Sequence, residues 1–319
     1  MPLTLRSSLP TLTALGHRVL RALGVERAPA TGEHDPQAAE AMQCAQEARR
    51  AGRLDEARTL FRHVAQRWPA HRGALHELRD LAVEARQWDE AIDVQQQLMA
   101  LAPPSDRAAE AAWLAVEYYE LGRLELARGE AARAIGHFKA ALRADATFTP
   151  AVVALGDAYE AVGDTREALR TWERAVETQP ALPLLARLER AYREQARPSK
   201  MIALYRSASE RAPDDLALAA ALGRVYFELE MLDEAADQFE KLEVRAPELP
   251  VVHAFLGAVF ERRGETREAF EEYRRALRLG HAFDWPHRCS ACGAVAPRWQ
   301  DRCGSCRRWN TLRPSQTRT

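Results

Sequence analysis

Two C-x-x-C pairs are the residues of this chain whose types and spacing define a chemistry. They read Cys289-Ser-Ala-Cys292 and Cys303-Gly-Ser-Cys306, with ten residues between the pairs. Each pair, followed by a turn, makes a knuckle that aims two sulfurs at one centre. Four thiolates supply a tetrahedral all-sulfur site, which suits zinc or iron and not calcium or magnesium. Four protein ligands leave no position for a reacting water, so the expected role is structural. The expectation is one metal ion per chain on Cys289, Cys292, Cys303 and Cys306, zinc first and iron as the alternative. So small a unit cannot bury enough apolar surface to stand alone, so metal binding and folding should be one event. Trp299 lies between the pairs and Trp309 follows them. Both are expected to cover the knuckles.

No other constellation reads as a reaction centre. The chain has no H-E-x-x-H, G-x-S-x-G, G-x-G-x-x-G or G-x-x-x-x-G-K-[ST]. Asp214-Asp215 reads as a helix start and Glu271-Glu272 as an exposed helical face, not as acid/base pairs. The expectation is therefore a protein that is not an enzyme.

The elements that carry the cysteines follow from a repeat. Ala151-Val-Val-Ala-Leu155-Gly156-Asp-Ala-Tyr159, a turn at Gly163-Asp164, then Glu167-Ala168, Trp172, Ala175 and Pro180 read as two amphipathic helices closed by proline. The unit recurs at Leu222-Gly223 and Leu256-Gly257, and in weaker copies upstream. Its small-residue site on the first helix falls at 45, 79, 122, 156, 189, 223 and 257, with spacings of 34, 43, 34, 33, 34 and 34. A 34-residue helix–turn–helix period is that of the tetratricopeptide repeat (TPR). The nine extra residues of the long spacing are expected after Pro103-Pro104, as an elongated first helix over 107–128. The fold class is thus all-α: a TPR helix-turn-helix superhelix of about seven repeats with a small C-terminal four-cysteine ribbon. The boundaries are 1–37 for an amphipathic segment and linker, 38–283 for the array and 284–319 for the ribbon.

Repeat geometry puts the first helices on a concave surface. Met42, Gln46, Arg49, His76, Asp80, Tyr119, Arg123, Asp157, Glu160, Arg190, Arg193, Arg224, Phe227 and Glu261 are expected on it. Arg190, Arg193 and Arg224, with Tyr119 and Phe227, are the candidate partner-binding residues. The arginines could grip a carboxylate or an acidic peptide; they could equally form local ion pairs. The Lys/Asn carboxylate clamp of chaperone-binding TPR domains is absent.

Charge is unevenly placed. Residues 1–30 carry four Arg and one Glu, and residues 281–319 carry seven Arg and two Asp, against a net charge of −1 for the whole chain. The body between is acidic, which argues against a nucleic-acid partner. Leu9, Leu12, Leu15, Val19, Leu20 and Leu23 recur at helical spacing with His17, Arg18 and Arg21 between them. This stretch is too short and too polar to span a membrane, but residues 9–25 could make peripheral membrane contact. Four of five cysteines in a metal ribbon point to a reducing, cytoplasmic location. The fifth, Cys44, is expected in the core.

The tail resembles the rubredoxin-like ribbon shared by the RadA recombination family and the lipopolysaccharide assembly protein B (LapB) family. RadA proteins join that ribbon to an ATPase, for which this chain has no phosphate loop. A TPR array running directly into the ribbon is similar to the LapB family over nearly the whole chain after residue 35. That resemblance implies a non-enzymatic adaptor at the cytoplasmic face of the inner membrane. It would couple the deacetylase LpxC to degradation by the protease FtsH, with the four cysteines as metal ligands. Family members begin with a transmembrane anchor, have more repeats and usually carry proline where this chain has Gly304. Two other readings stay open: a TPR adaptor with a different partner, and a nucleic-acid-binding ribbon using Arg288, Arg298, Arg302, Arg307 and Arg308. A rubredoxin-type electron carrier is opposed by the arginine-rich flanks. The short connection through Gly280 predicts that the ribbon folds back onto the array as one rigid unit with it, burying Phe283 and Trp285, so that loss of the metal would also destabilise the last repeats.

Overall fold

A computed structural model of the chain describes residues 35–279 and 286–314. Residues 9–25, Phe283 and Trp285 lie outside them. The described helices form two compact units divided at Asp106/Arg107. The first holds α1 (Pro36–Arg50), α2 (Leu54–Arg67), α3 (Arg72–Glu84) and α4 (Trp88–Leu101). The second holds α5 (Arg107–Ala127), α6 (Ala131–Ala144), α7 (Thr149–Ala161), α8 (Thr165–Thr178), α9 (Leu182–Glu194), α10 (Pro198–Arg211), α11 (Leu216–Glu228), α12 (Leu232–Arg245), α13 (Pro250–Arg263) and α14 (Thr266–Leu279). The ribbon strands β1 (His287–Cys289), β2 (Val295–Ala296) and β3 (Leu312–Pro314) follow in the second unit. Helix α5 is 21 residues long where the others have 13 to 15, which is where the long spacing was expected.

One pair shows why these residues make these elements. Pro150 sits in the first turn of α7, where its missing N–H costs nothing. Asp164 caps α8 by accepting from Glu167 N at 3.1 Å. Ala168, Trp172 and Val176 repeat every four residues along α8 and are its buried stripe. Within each unit every helix packs on the next. In the second unit the first helices α5, α7 and α9 also touch in succession, as do α11 and α13.

The repeat is legible in the backbone as well as in the side chains. One residue between the two helices of each pair adopts a left-handed conformation: Gly52, Arg86, Gly129, Gly163, Ala196, Glu230 and Gly264. Each lies seven residues after the corresponding small-residue site. Glycine takes that conformation freely; Arg86, Ala196 and Glu230 each cost roughly 1 kcal/mol more.

The small-residue site itself has two solutions. Gly122, Gly156, Gly223 and Gly257 lie so close to Phe138, Trp172, Phe239 and Tyr273 that an added Cβ would meet each ring within 2.8 Å. In every case the ring sits sixteen residues on. The same positions hold Arg79 and Glu189 in two other pairs, so they are not small there. Arg79 meets Gln95 at 3.3 Å, and Glu189 accepts from the Tyr205 hydroxyl at 2.6 Å. A polar pair replaces the glycine-on-ring contact at the same sixteen-residue offset.

This contact gives a test. An exposed Gly→Ala change inside a helix normally gains about 1 kcal/mol. At Gly156 the new Cβ would lie 2.1 Å from the indole of Trp172, which is fully buried. Gly156→Ala should instead lose about 2–3 kcal/mol by overpacking. It is read as a lower urea midpoint, with the largest rise in hydrogen exchange in α7 and α8. A raised midpoint would show that the indole has room to move.

Cys44 is exposed, contrary to the core position expected of it. The buried stripe of α1 is Ala38, Ala45 and Ala48, one residue round the helix from the sulfur.

Candidate metal centre and its seat on the array

The ribbon is a three-stranded antiparallel sheet in the order β2-β1-β3. Its two knuckles have the same internal geometry. Gly293 N donates to Cys289 O, and Arg307 N donates to Cys303 O, both at 2.9 Å. The residue after each second cysteine is left-handed, Gly293 at φ 75° and Arg307 at φ 58°. Cys289 N reaches Ala294 O at 2.8 Å and Cys303 N reaches Arg308 O at 2.9 Å, closing each loop. Gly304 has open space around its missing Cβ.

The four sulfurs converge. All lie within 4.8 Å of one another, with Cys289 to Cys306 at 3.7 Å and Cys292 to Cys303 at 3.8 Å. Both pairs take one sulfur from each knuckle. These separations are far longer than the ~2 Å of a disulfide. A regular tetrahedron with metal–sulfur bonds of about 2.3 Å has edges of about 3.8 Å. The sulfur cage therefore fits one tetrahedral ion. Zinc and iron both meet that geometry.

Cys289 and Cys303 are buried with Leu312, and Trp299, Ala294 and Ala296 pack against them. Thr311 Oγ1 lies 3.1 Å from Cys289 Sγ and, with backbone N–H groups, holds that thiol down to about 6. Backbone N–H groups of Cys306 and Ser305 lower Cys303. The Arg308 N–H also favours the Cys306 thiolate, but burial and the neighbouring sulfurs outweigh it and push Cys306 up to about 11. The neighbouring sulfurs crowd Cys306, which is the condition a bound cation relieves.

The ribbon is seated on the array. Tyr119, buried in α5, donates its hydroxyl to Asp301 Oδ2 at 2.9 Å, and Arg123 Nη1 reaches the same oxygen at 3.2 Å. Burial and the Asp301 carboxylate both push the Tyr119 pKa up, so the phenol keeps the proton it donates. The Trp309 ring meets Tyr119 edge to face at 5.6 Å and packs against the apolar cluster of α5, α6 and α7. Arg302 lies over the Trp309 ring at 5.2 Å. Of the two tryptophans expected to cover the knuckles, only Trp299 does so. A second contact brings His287, Trp299, Asn310 and Leu312–Pro314 around a cavity of about 190 Å³ against Thr149 and Gln179–Pro183.

Among the described residues the seat is thus on α5, α7 and the α8–α9 turn, away from the last repeats; Phe283 and Trp285, expected to be buried by the fold-back, lie outside the described residues. On α14, Ala269 and Ala276 are buried, whereas Phe270 is 60% and Leu277 76% exposed. Asp301 could have been singled out beforehand, since it is the sole carboxylate in residues 286–314.

The structure places the candidate partner residues as follows. Arg190 pairs with Glu160, and Arg193 with Glu189 at 2.8 Å and with Glu228. Arg224 pairs with Glu189 at 2.6 Å and Glu228 at 2.8 Å. Arg187 joins Asp157 through two bonds at 2.8 and 2.9 Å. All of these carboxylates belong to the array itself. Phe227 lies edge-on to Phe255 at 5.9 Å under the Arg262 guanidinium. Beside it an apolar trough of about 310 Å³ opens between α9, α11 and α13. Leu182, Ala186, Ala217, Ala221, Val251 and Phe255 line it, with Tyr205 and Arg224 at one end.

Comparison with known proteins agrees with this architecture. Residues 287–314 match the rubredoxin metal binding domain family of LapB type, and residues 125–192 match the tetratricopeptide repeat family. Lipopolysaccharide assembly protein B of Escherichia coli K12 is 24% identical over 276 residues, covering 83% of this chain and 68% of that protein. The Escherichia coli O157:H7 protein gives the same figures. Among solved structures, YrrB, a TPR protein with an unusual peptide-binding site, aligns with a TM-score of 0.37 and 21% identity, covering 52% of this chain and 86% of that one. MamA from Desulfovibrio magneticus RS-1 aligns with a TM-score of 0.38 and 20% identity, covering 53% and 97%. The chain is LapB-like in architecture, a run of TPR pairs that ends in a LapB-type rubredoxin ribbon folded against it.

Proposed function

We propose that the protein is a non-enzymatic adaptor of LapB type, which holds LpxC for proteolysis by FtsH and so regulates lipid A synthesis at the cytoplasmic face of the inner membrane. The observation that supports this best is the seat itself. Tyr119, Arg123 and Trp309 join the ribbon to the TPR pairs, so metal centre and array act as one binding body. We read the ion as zinc, held by Cys289, Cys292, Cys303 and Cys306, with a purely structural role. No helix of the described residues is long and apolar enough to cross a membrane.

The partner would enter at the apolar trough between α9, α11 and α13, flanked by Phe227 and Arg224. Arg190 and Arg193 are matched by the array's own carboxylates and would steer more than grip. Tyr119 serves the ribbon. Affinity purification from the native host is the test. LpxC and FtsH should co-purify with the wild-type chain and be lost with Ala221→Arg, which would fill the trough. Recovery of neither LpxC nor FtsH at any expression level would sink the reading.

A further inference from the structure

Arg187, Arg190, Arg193 and Arg224 of the array pair with its own carboxylates; the arginines of the ribbon do not. Arg288, Arg298, Arg302, Arg307, Arg308 and Arg313 are all exposed. None pairs with a carboxylate among the described residues. The sole acid of residues 286–314, Asp301, is committed to Tyr119 and Arg123. Even after four thiolates bind a dication, residues 286–314 keep a net positive charge.

Part of this charge is organised by the sheet. Arg288 on the central strand pairs with Val295 of β2 on one side and Arg313 of β3 on the other. Paired residues share a face, and the face alternates along a strand. His287, Cys289 and Leu312 are buried on the inner face. Arg288, Arg313 and Val295 therefore stand side by side on the outer one, where Val295 is 58% exposed.

We propose that this outer face of the ribbon, Arg288 and Arg313 beside Val295, docks on anionic phospholipid headgroups. An apolar side chain next to two guanidinium groups matches the boundary between headgroup phosphates and acyl chains. Single-stranded nucleic acid would need stacking platforms. Trp299 and Trp309, the only tryptophans of residues 286–314, are already packed, one on the cysteines and one on Tyr119. An added peptide strand would need a longer edge than the two residues of β2 or the three of β3. A flat basic face fits a flat anionic surface. The inference goes beyond the adaptor reading and does not need LpxC or FtsH to be the partners.

The test is co-sedimentation of the metal-loaded full chain with vesicles, phosphatidylglycerol in phosphatidylcholine against phosphatidylcholine alone. The wild type should partition to the anionic vesicles alone, and binding should weaken with salt. Each arginine at such a surface is worth about a factor of five, so Arg288→Gln/Arg313→Gln should lower the partition coefficient about 25-fold. Arg288 bonds the Gly293 carbonyl and Arg313 borders the cavity against Gln179–Pro183, but neither side chain bonds a cysteine sulfur, Tyr119 or Asp301, so that variant should keep its metal and its protection in α5. Equal partitioning of variant and wild type would overturn the proposal and leave residues 9–25 as the membrane contact. So would release by inorganic phosphate at equal ionic strength, which would mark an ion site, or RNA binding lost in the same variant. Failure of LpxC to co-purify would leave this result untouched.

Discussion

Cys303→Ser/Cys306→Ser should take the metal content from about one ion per chain to none. Structural zinc sites in small domains are worth on the order of 10 kcal/mol of folding free energy. The ribbon's own apolar cluster amounts to Cys289, Cys303, Leu312 and a few partly buried neighbours, which cannot replace that. The whole of residues 286–314 should therefore unfold. Trp309 then leaves Tyr119, and the buried phenol loses its acceptor on Asp301. The secondary damage should appear where the seat is. Hydrogen exchange should rise in α5 and around residues 149 and 179–183, while α13 and α14 stay as protected as before. Full metal occupancy in the double variant would remove these cysteines from the site. Increased exchange confined to residues 250–279 would restore the coupling to the last repeats that the short connection suggested.

Glu189→Ala should cost the array about 3–5 kcal/mol, the range for stripping one partner from a buried charge cluster. Glu189 is 8% exposed and accepts from Arg224 at 2.6 and 3.0 Å, from Tyr205 at 2.6 Å and from Arg193 at 2.8 Å. Burial alone would raise its pKa; the bonds from Arg224, Tyr205 and Arg193 outweigh burial and hold it at about 2. The pH dependence follows in sign. The folded pKa lies below the unfolded value, so the contribution is complete above the ordinary glutamate range and drains away as pH falls toward 2. Its full size, from 4.5 to about 2, is roughly 3 kcal/mol. Urea midpoints of the wild type should fall steeply between pH 5 and pH 3 relative to Glu189→Gln. Parallel curves for the two proteins would mean that this carboxylate is not held ionised by its neighbours.

Much of the fold was legible because a repeat is read seven times over. The 34-residue period, the elongated helix after Pro103-Pro104 and the stop before Pro180 all stand in the structure. The sulfur cage was legible because C-x-x-C spacing fixes local geometry within a few residues. What escaped were contacts between distant segments. Tyr119 could be placed on a concave helix, but nothing local says that its hydroxyl waits for Asp301. The arginines could be placed on the same surface, yet whether Arg224 is offered to a partner or held by Glu189 depends on the next pair. Trp309 follows the last cysteine closely enough to suggest a knuckle cover, and instead faces α5. The exposed sulfur of Cys44 shows the limit of a helical pattern read at single-residue precision.

The bond between Tyr119 and Asp301 spans 182 residues of chain, in a unit whose helices pack mainly on their neighbours. Helix pairs of this kind form from nearby residues as soon as both helices exist. The seat on α5 cannot close until the far end of the chain has been made. At roughly 5–20 residues per second of synthesis, those 182 residues take about 10–40 s to appear. During that interval Tyr119 stands uncovered on a helix that is already built. The newborn chain thus has a waiting period, set by the ribosome, in which the surface meant for the ribbon is open to other company.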